Sequence, residues 1–225
     1  MNTEPLKRLF DIADELVRRA GSGTVMQLID VQSPMDIAAL VWEKSDFCMA
    51  MIESPDAVRE LTDKTSRVLT SFLDAWFARY GQDFIAHYPD YYMLGGITLS
   101  EDEIGIVSGE MFDELFLPEL IALSNRYGGI GMHCCADSKH QWANFLKIPN
   151  LRLLNLVRPV PQAREAFTYF AGHTAQMHNI TWDEPQVRWL LDNAPQARVV
   201  IEANAKSPDE AKRIVEQFRK LEPAS

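Results

Sequence analysis

Cysteine is scarce in this chain. Three residues in 225, two of them adjacent, cannot make a disulfide framework, and a reducing, cytoplasmic setting is the expectation. Positive charge is short as well: 22 Lys and Arg stand against 32 Asp and Glu, for a formal net charge of −10. The basic residues are scattered along helical faces, so nothing offsets phosphate repulsion and a nucleic-acid partner is excluded. No apolar run approaches the ~20 residues of a membrane-spanning helix, so no membrane partner is expected. The opening stretch, MNTEPLKRLFDIADELVRRAG, carries acids throughout and reads as an amphipathic helix rather than a signal peptide. Neither GxGxxG nor GxxxxGK[ST] occurs, which removes the usual fingerprints of dinucleotide and P-loop chemistry. Low-complexity tracts and linkers are missing too. A single domain over 1–225 is expected, with 1–22 as a helix leading in.

What is present alternates. Helical patterns fall at about 5–20, 35–43, 54–81, 108–127, 140–147, 161–172, 184–194 and 207–221. Ser54 and Pro55 suit the start of the longest of these and Gly81 its end. Val58, Leu61, Thr65, Val68, Leu69, Phe72 and Trp76 recur along it at helical spacing. Pro118 predicts a kink or break inside 108–127. Ser207 and Glu210 form a capping box. Six short apolar runs, at 24–31, 91–98, 129–135, 151–157, 174–181 and 198–204, have strand character. From residue 129 strand and helix alternate every 22–25 residues, the rhythm of parallel strands joined by helical crossovers. An α/β fold follows. The pattern does not separate a barrel from an open sheet.

The stretch GMHCCADSKH at 131–140 holds the adjacent cysteines behind a histidine. In a strand, positions i and i+2 share a face, so His133 and Cys135 converge while Cys134 turns away into packing. An imidazole with a thiolate is a partial ligand set for zinc. The competing reading is a buried histidine with two cysteines acting as small hydrophobes. Asp137 stands next to the pair as a residue that could orient a ligand. His178, at the end of a later strand, offers a ligand or an acid/base; a hydrogen-bonded structural histidine is the alternative. Glu202, with Asn204 nearby, ends the last strand run. Asp102 and Glu103 form either a substrate-facing acidic turn or a solvated one. Tyr91, Tyr92 and Met93 are candidates for an apolar pocket or for the core.

Three stretches in order, SPMDIAALVWEKSDFCMAMIESPDAVRELTDK, ITLSEDEIGIVSGEMFDELFLPEL and GMHCCAD, resemble the uroporphyrinogen decarboxylase superfamily. The resemblance runs from about residue 24 to the C-terminus. It implies a (β/α)8 TIM-barrel-like fold, here incomplete and N-terminally short, with about six βα units legible. It is nearer the zinc-dependent methyltransferase branch, in which a methyl group moves from a corrinoid on a partner protein to a small-molecule thiol. His133 and Cys135 match that branch's zinc motif. Its further cysteine has no counterpart in IEANAKSPD (201–209), which makes Glu202 the expected third metal ligand, with Asp102 and His178 as expected catalytic residues. The resemblance also implies a homo-oligomer that covers the unfinished barrel. A catalytically degenerate barrel serving as a partner subunit or binding module is the alternative. Porphyrinogen decarboxylation ranks lower, because the arginines it needs belong to a family segment this chain lacks.

Overall fold

The computed structural model describes residues 3–21, 23–83, 85–87 and 91–221, with the side chains of 85–87, 91 and 92 excepted. Four helices open the chain: α1 (Glu4–Ala20), α2 (Pro34–Val41), α3 (Lys44–Glu53) and α4 (Pro55–Tyr80). A small antiparallel pair follows, β1 (Ile85–His87) with β2 (Tyr91–Met93). Strand β3 (Ile97–Ser100) then starts a βα series: α5 (Gly109–Leu115), α6 (Leu117–Tyr127), β4 (Ile130–Cys134), α7 (Trp142–Phe145), β5 (Leu151–Leu156) and α8 (Val160–Tyr169). It continues through β6 (Ala175–Gln176), α9 (Glu184–Asn193), β7 (Arg198–Val199) and α10 (Pro208–Arg219).

The helices begin where local chemistry starts them. Ser33 caps α2 by accepting from Asp36 N–H at 3.0 Å, and Ser108 caps α5 by accepting from Met111 N–H at 3.1 Å. Pro118 does break its pattern, with Phe116 between α5 and α6. In α10 the Ser207 hydroxyl accepts from Glu210 N–H at 3.2 Å, while the Glu210 carboxylate reaches back to Lys206 N–H, one residue earlier than a standard capping box. On α4, Val58, Thr65, Leu69, Phe72 and Trp76 are buried with Thr62 and Leu73, whereas Val68 is 63% exposed. At 100° per residue Val68 falls about 80° round the helix from Val58, off the packed stripe. Phe10 of α1 meets Phe72, Trp76 and Tyr80 of that stripe, which seats α1 on α4.

Strands β3 to β7 form one parallel sheet in the order β3-β4-β5-β6-β7. The α/β alternation therefore stands, with five members in the sheet. Four of the six strand runs differ from expectation, those at 174–181 and 198–204 shrinking to the two-residue strands β6 and β7. Residues 24–31 make no regular strand. Only Gln32 bridges to Ser100, flanked by Ser100 N–H to Val31 O at 2.9 Å and Ser33 N–H to Ser100 O at 2.8 Å, because the chain leaves at once for α2. The run at 91–98 splits at Gly95 and Gly96, whose φ of +65° and +77° turn the chain between β2 and β3. At Gly96 a Cβ would lie 2.6 Å from the Gly129 carbonyl oxygen, so the turn also needs a residue without one. Among the described residues the row does not close on itself: β3 ends against the 31–33 segment and β7 pairs with β6 alone.

Register sorts the sheet into two faces. Met132, Leu154 and Gln176 align on one face, with Cys134 and Leu156 beside them, and α8 packs there: Gln176 Nε2–H donates to Phe167 O at 3.3 Å. Ser100, His133 and Asn155 align on the other face, as a polar row near the strands' C-terminal ends. No helix among the described residues is long and apolar enough to cross a membrane.

Candidate metal centre

The polar row carries the site. Ser100 is the register partner of His133, so the residues that follow β3 arrive beside those that follow β4. Glu101 N–H to His133 O at 2.8 Å continues the pairing past the end of β3. Two residues beyond Ser100, the Asp102 carboxylate accepts from Cys135 N–H through Oδ1 at 2.5 Å. One oxygen of Asp102, one ring nitrogen of His133 and the Cys135 sulfur all lie within 4.8 Å of one another. Asp102 and His133 are half-buried and Cys135 is exposed, so the centre opens to solvent.

Asn155 fixes the histidine. Its amide Nδ2 donates to Asn179 Oδ1 at 2.7 Å and to the Met177 carbonyl, so its Oδ1 is the acceptor facing His133 Nδ1, 2.5 Å away. With the proton on Nδ1, the neutral ring carries its lone pair on Nε2, the nitrogen that can coordinate. Asn155 interrupts LRLLNLV, and its polarity within an apolar strand was the signal sequence reasoning passed over. Asp137, expected to orient a ligand, is exposed, as Cys135 is.

Burial pushes the Cys135 thiol up to about 11, helped by its hydrogen bond to the Asp102 carboxylate and by that charge. In the metal-free chain Cys135 therefore holds its proton against Asp102 at neutral pH. Were a divalent cation held here, Asp102, His133 and the deprotonated Cys135 would be its protein ligands. Carboxylate, imidazole and thiolate together are a donor set whose chemistry would suit zinc. Cys134 is fully buried, its thiol pushed up to about 12 chiefly by burial, and it packs on the helix-covered face.

Behind the donors lies an acid group. Asp36 of α2 is 3% exposed and accepts from Asp102 N–H at 2.8 Å and Glu103 N–H at 2.9 Å. Burial raises its carboxyl to about 7, against the opposing effect of those two hydrogen bonds. Glu101 is fully buried. Its carboxyl is pushed well up by burial and then by Asp36, with the Ser33 hydroxyl acting the other way. Glu103 pairs with Lys44 of α3 at 2.8 Å.

His178 and Glu202 stand apart from this centre. His178 N–H at Nε2 donates to Gln176 Oε1 at 2.9 Å, and Nδ1 accepts from Leu156 N–H at 3.2 Å. The ring packs on Phe167, with centroids 4.6 Å apart, and burial lowers its pKa to about 3. Both nitrogens are thus engaged on the face opposite His133, because strand alternation puts His178 in line with Gln176 and Leu156. Glu202 is exposed and lines a cleft of about 420 Å³ with Asn204, Trp182, Ile214 and Phe218. In strand order β7 lies three places from β4, and Glu202 is not among the side chains that gather with His133 and Cys135. Asp102 is the acid the structure places beside His133 and Cys135. Met93 is a buried core residue, whereas the Tyr91 and Tyr92 side chains lie outside the described residues.

Comparisons with protein-family models, with curated proteins and with solved structures return no match to this chain.

Proposed function

We propose that this chain is a zinc-dependent methyltransferase of the uroporphyrinogen decarboxylase superfamily, moving a methyl group from a corrinoid carried by a partner protein to a small-molecule thiol. One observation carries the reading: Asp102, about thirty residues away in sequence, converges with His133 and Cys135 at the C-terminal edge of a parallel sheet. That edge is where (β/α)8 barrels keep their chemistry, and the five-stranded row is read as an arc of such a barrel. Zinc held by these three side chains supplies Lewis acidity that keeps a bound thiol as its thiolate at neutral pH. The chain's own residues do the rest. Asn155 holds the His133 ring and its tautomer. Asp102 orients the Cys135 main chain through Oδ1 while offering its other oxygen.

The first test is metal content. The purified chain is expected to hold about one zinc, lost on Cys135→Ser and weakened on Asp102→Ala. The second is turnover: incubation with methylcobalamin and a panel of thiols should yield the methyl thioether, scored by mass spectrometry. Absence of bound zinc after zinc loading, in a folded chain, sinks the proposal. A catalytically silent binding module, or partner subunit, is the second reading. Its contact would lie at β7, the end of the row, which pairs with β6 alone among the described residues. Zinc without turnover, together with a change in oligomeric state at β7, would favour it.

A further inference from the structure

Asp36 has an unusual placement. It lies in the first turn of α2, where an acid normally faces solvent, yet it is 3% exposed. Its two oxygens are spent across a long sequence gap, Oδ2 on Asp102 N–H at 2.8 Å and Oδ1 on Glu103 N–H at 2.9 Å. A carboxylate that clasps two consecutive amides fixes the backbone between them, and here that backbone belongs to Asp102. The clasp is itself anchored. Ser33 Oγ accepts from Asp36 N–H at 3.0 Å, and Lys44 holds the Glu103 carboxylate at 2.8 Å. On its far side Asp102 Oδ1 accepts from Cys135 N–H at 2.5 Å. One line of hydrogen bonds therefore runs from the cap of α2 through Asp36 and Asp102 to the main chain of Cys135.

We infer that Asp36 is a positioning residue for the metal centre, holding the Asp102 backbone so that its carboxylate stays within coordinating range of His133 and Cys135. The inference rests on the reading of those three side chains as a metal site. Asp36 touches no donor atom of the centre in the hydrogen bonds described and acts through Asp102 alone. Outer partners of this kind typically change metal affinity on the order of 10–100-fold.

Cobalt(II) titration of the full chain tests this, because cobalt reports both affinity and ligand set by absorption. Wild type is expected to show thiolate-to-cobalt charge transfer and d–d bands. Asp36→Ala should weaken cobalt binding on the order of tenfold or more and shift the d–d bands as Asp102→Ala does. The charge-transfer band from Cys135 should survive at saturation. Asp36→Asn keeps one acceptor oxygen and should fall between. In an Asp102→Ala background, substituting Asp36 should change nothing further, a coupling that a merely structural role would not give. Thermal unfolding checks the fold of each variant, and the Asp36→Asn cycle decides the matter should Asp36→Ala not fold. Unchanged affinity in the single variants, or an equal loss with and without Asp102, overturns the positioning role while leaving the metal centre intact. A wild-type chain that binds no cobalt overturns both.

Discussion

Cys134 and Cys135 are neighbours in sequence and opposites in chemistry. Strand alternation buries the first under α8's face and leaves the second at the mouth of the polar row, next to Asp102. The difference is measurable by alkylation of the metal-free chain with peptide mapping. Cys135 is expected to react slowly at pH 7 and about tenfold faster per pH unit until its thiol titrates, while Cys134 stays unmodified in the folded state. Asp102→Asn removes a carboxylate that raises the Cys135 thiol, so that variant should react faster at every pH below the titration. No acceleration would mean that the Asp102 charge does not reach the sulfur. His133 and Cys135 were legible as a pair because a period of two needs nothing beyond the strand. Asn155 and Asp36 were not, since a single polar residue in an apolar run says nothing of what it will face.

At the scale of elements, β6 and α8 are tied together by a buried histidine. His178 is driven down to about 3 by burial, so the unfolded chain takes up a proton below its ordinary pKa of 6.5 that the folded chain refuses. The His178 contribution to stability is thus present above the ordinary histidine range and is lost as pH falls through it towards 3, by a few kcal/mol at most. His178→Asn keeps an acceptor for Leu156 N–H and does not titrate. Its denaturant midpoint should fall less than that of wild type between pH 7 and pH 4.5; parallel falls would contradict the assignment. The cap of α2 is a second element-scale case. Ser33→Ala removes a buried N-cap hydroxyl and should cost about 1 kcal/mol, read by urea unfolding. Most helices were legible to within a few residues from their caps and periodicity, but α3 (Lys44–Glu53) was not read from the sequence at all. The strands at 24–31, 174–181 and 198–204 were overdrawn, because an apolar run becomes a strand only over the length for which a neighbour pairs with it.

For the whole molecule, a group of acids is gathered between α2 and the end of β3. Asp36, raised to about 7, and Glu101, pushed up by burial and by Asp36, hold protons in the folded state that the unfolded chain has released. Both contributions are fully present below the ordinary carboxylate range and are lost as pH rises, that of Asp36 by about pH 7. Glu101→Gln is isosteric and uncharged, so the variant should gain on wild type as pH rises from 5 to 8 in paired unfolding curves. A constant difference across that range would show that Glu101 is not the group that titrates. Below pH 6.5 this effect runs opposite to that of His178, so the variants are needed to separate the two.

The sequence by itself determined the α/β alternation, the break at Pro118, the acidic charge balance and low thiol content, and the facing of His133 with Cys135. All of these follow from local periodicity and backbone limits. Which acid would join the pair was decided only by the tertiary structure. Strand register sets Ser100 against His133, and so delivers Asp102 to Cys135 from the next strand. Strand order leaves Glu202 three strands away, and alternation turns His178 to the helix-covered face. Register and strand order are relations between segments distant along the chain, and no local pattern contains them.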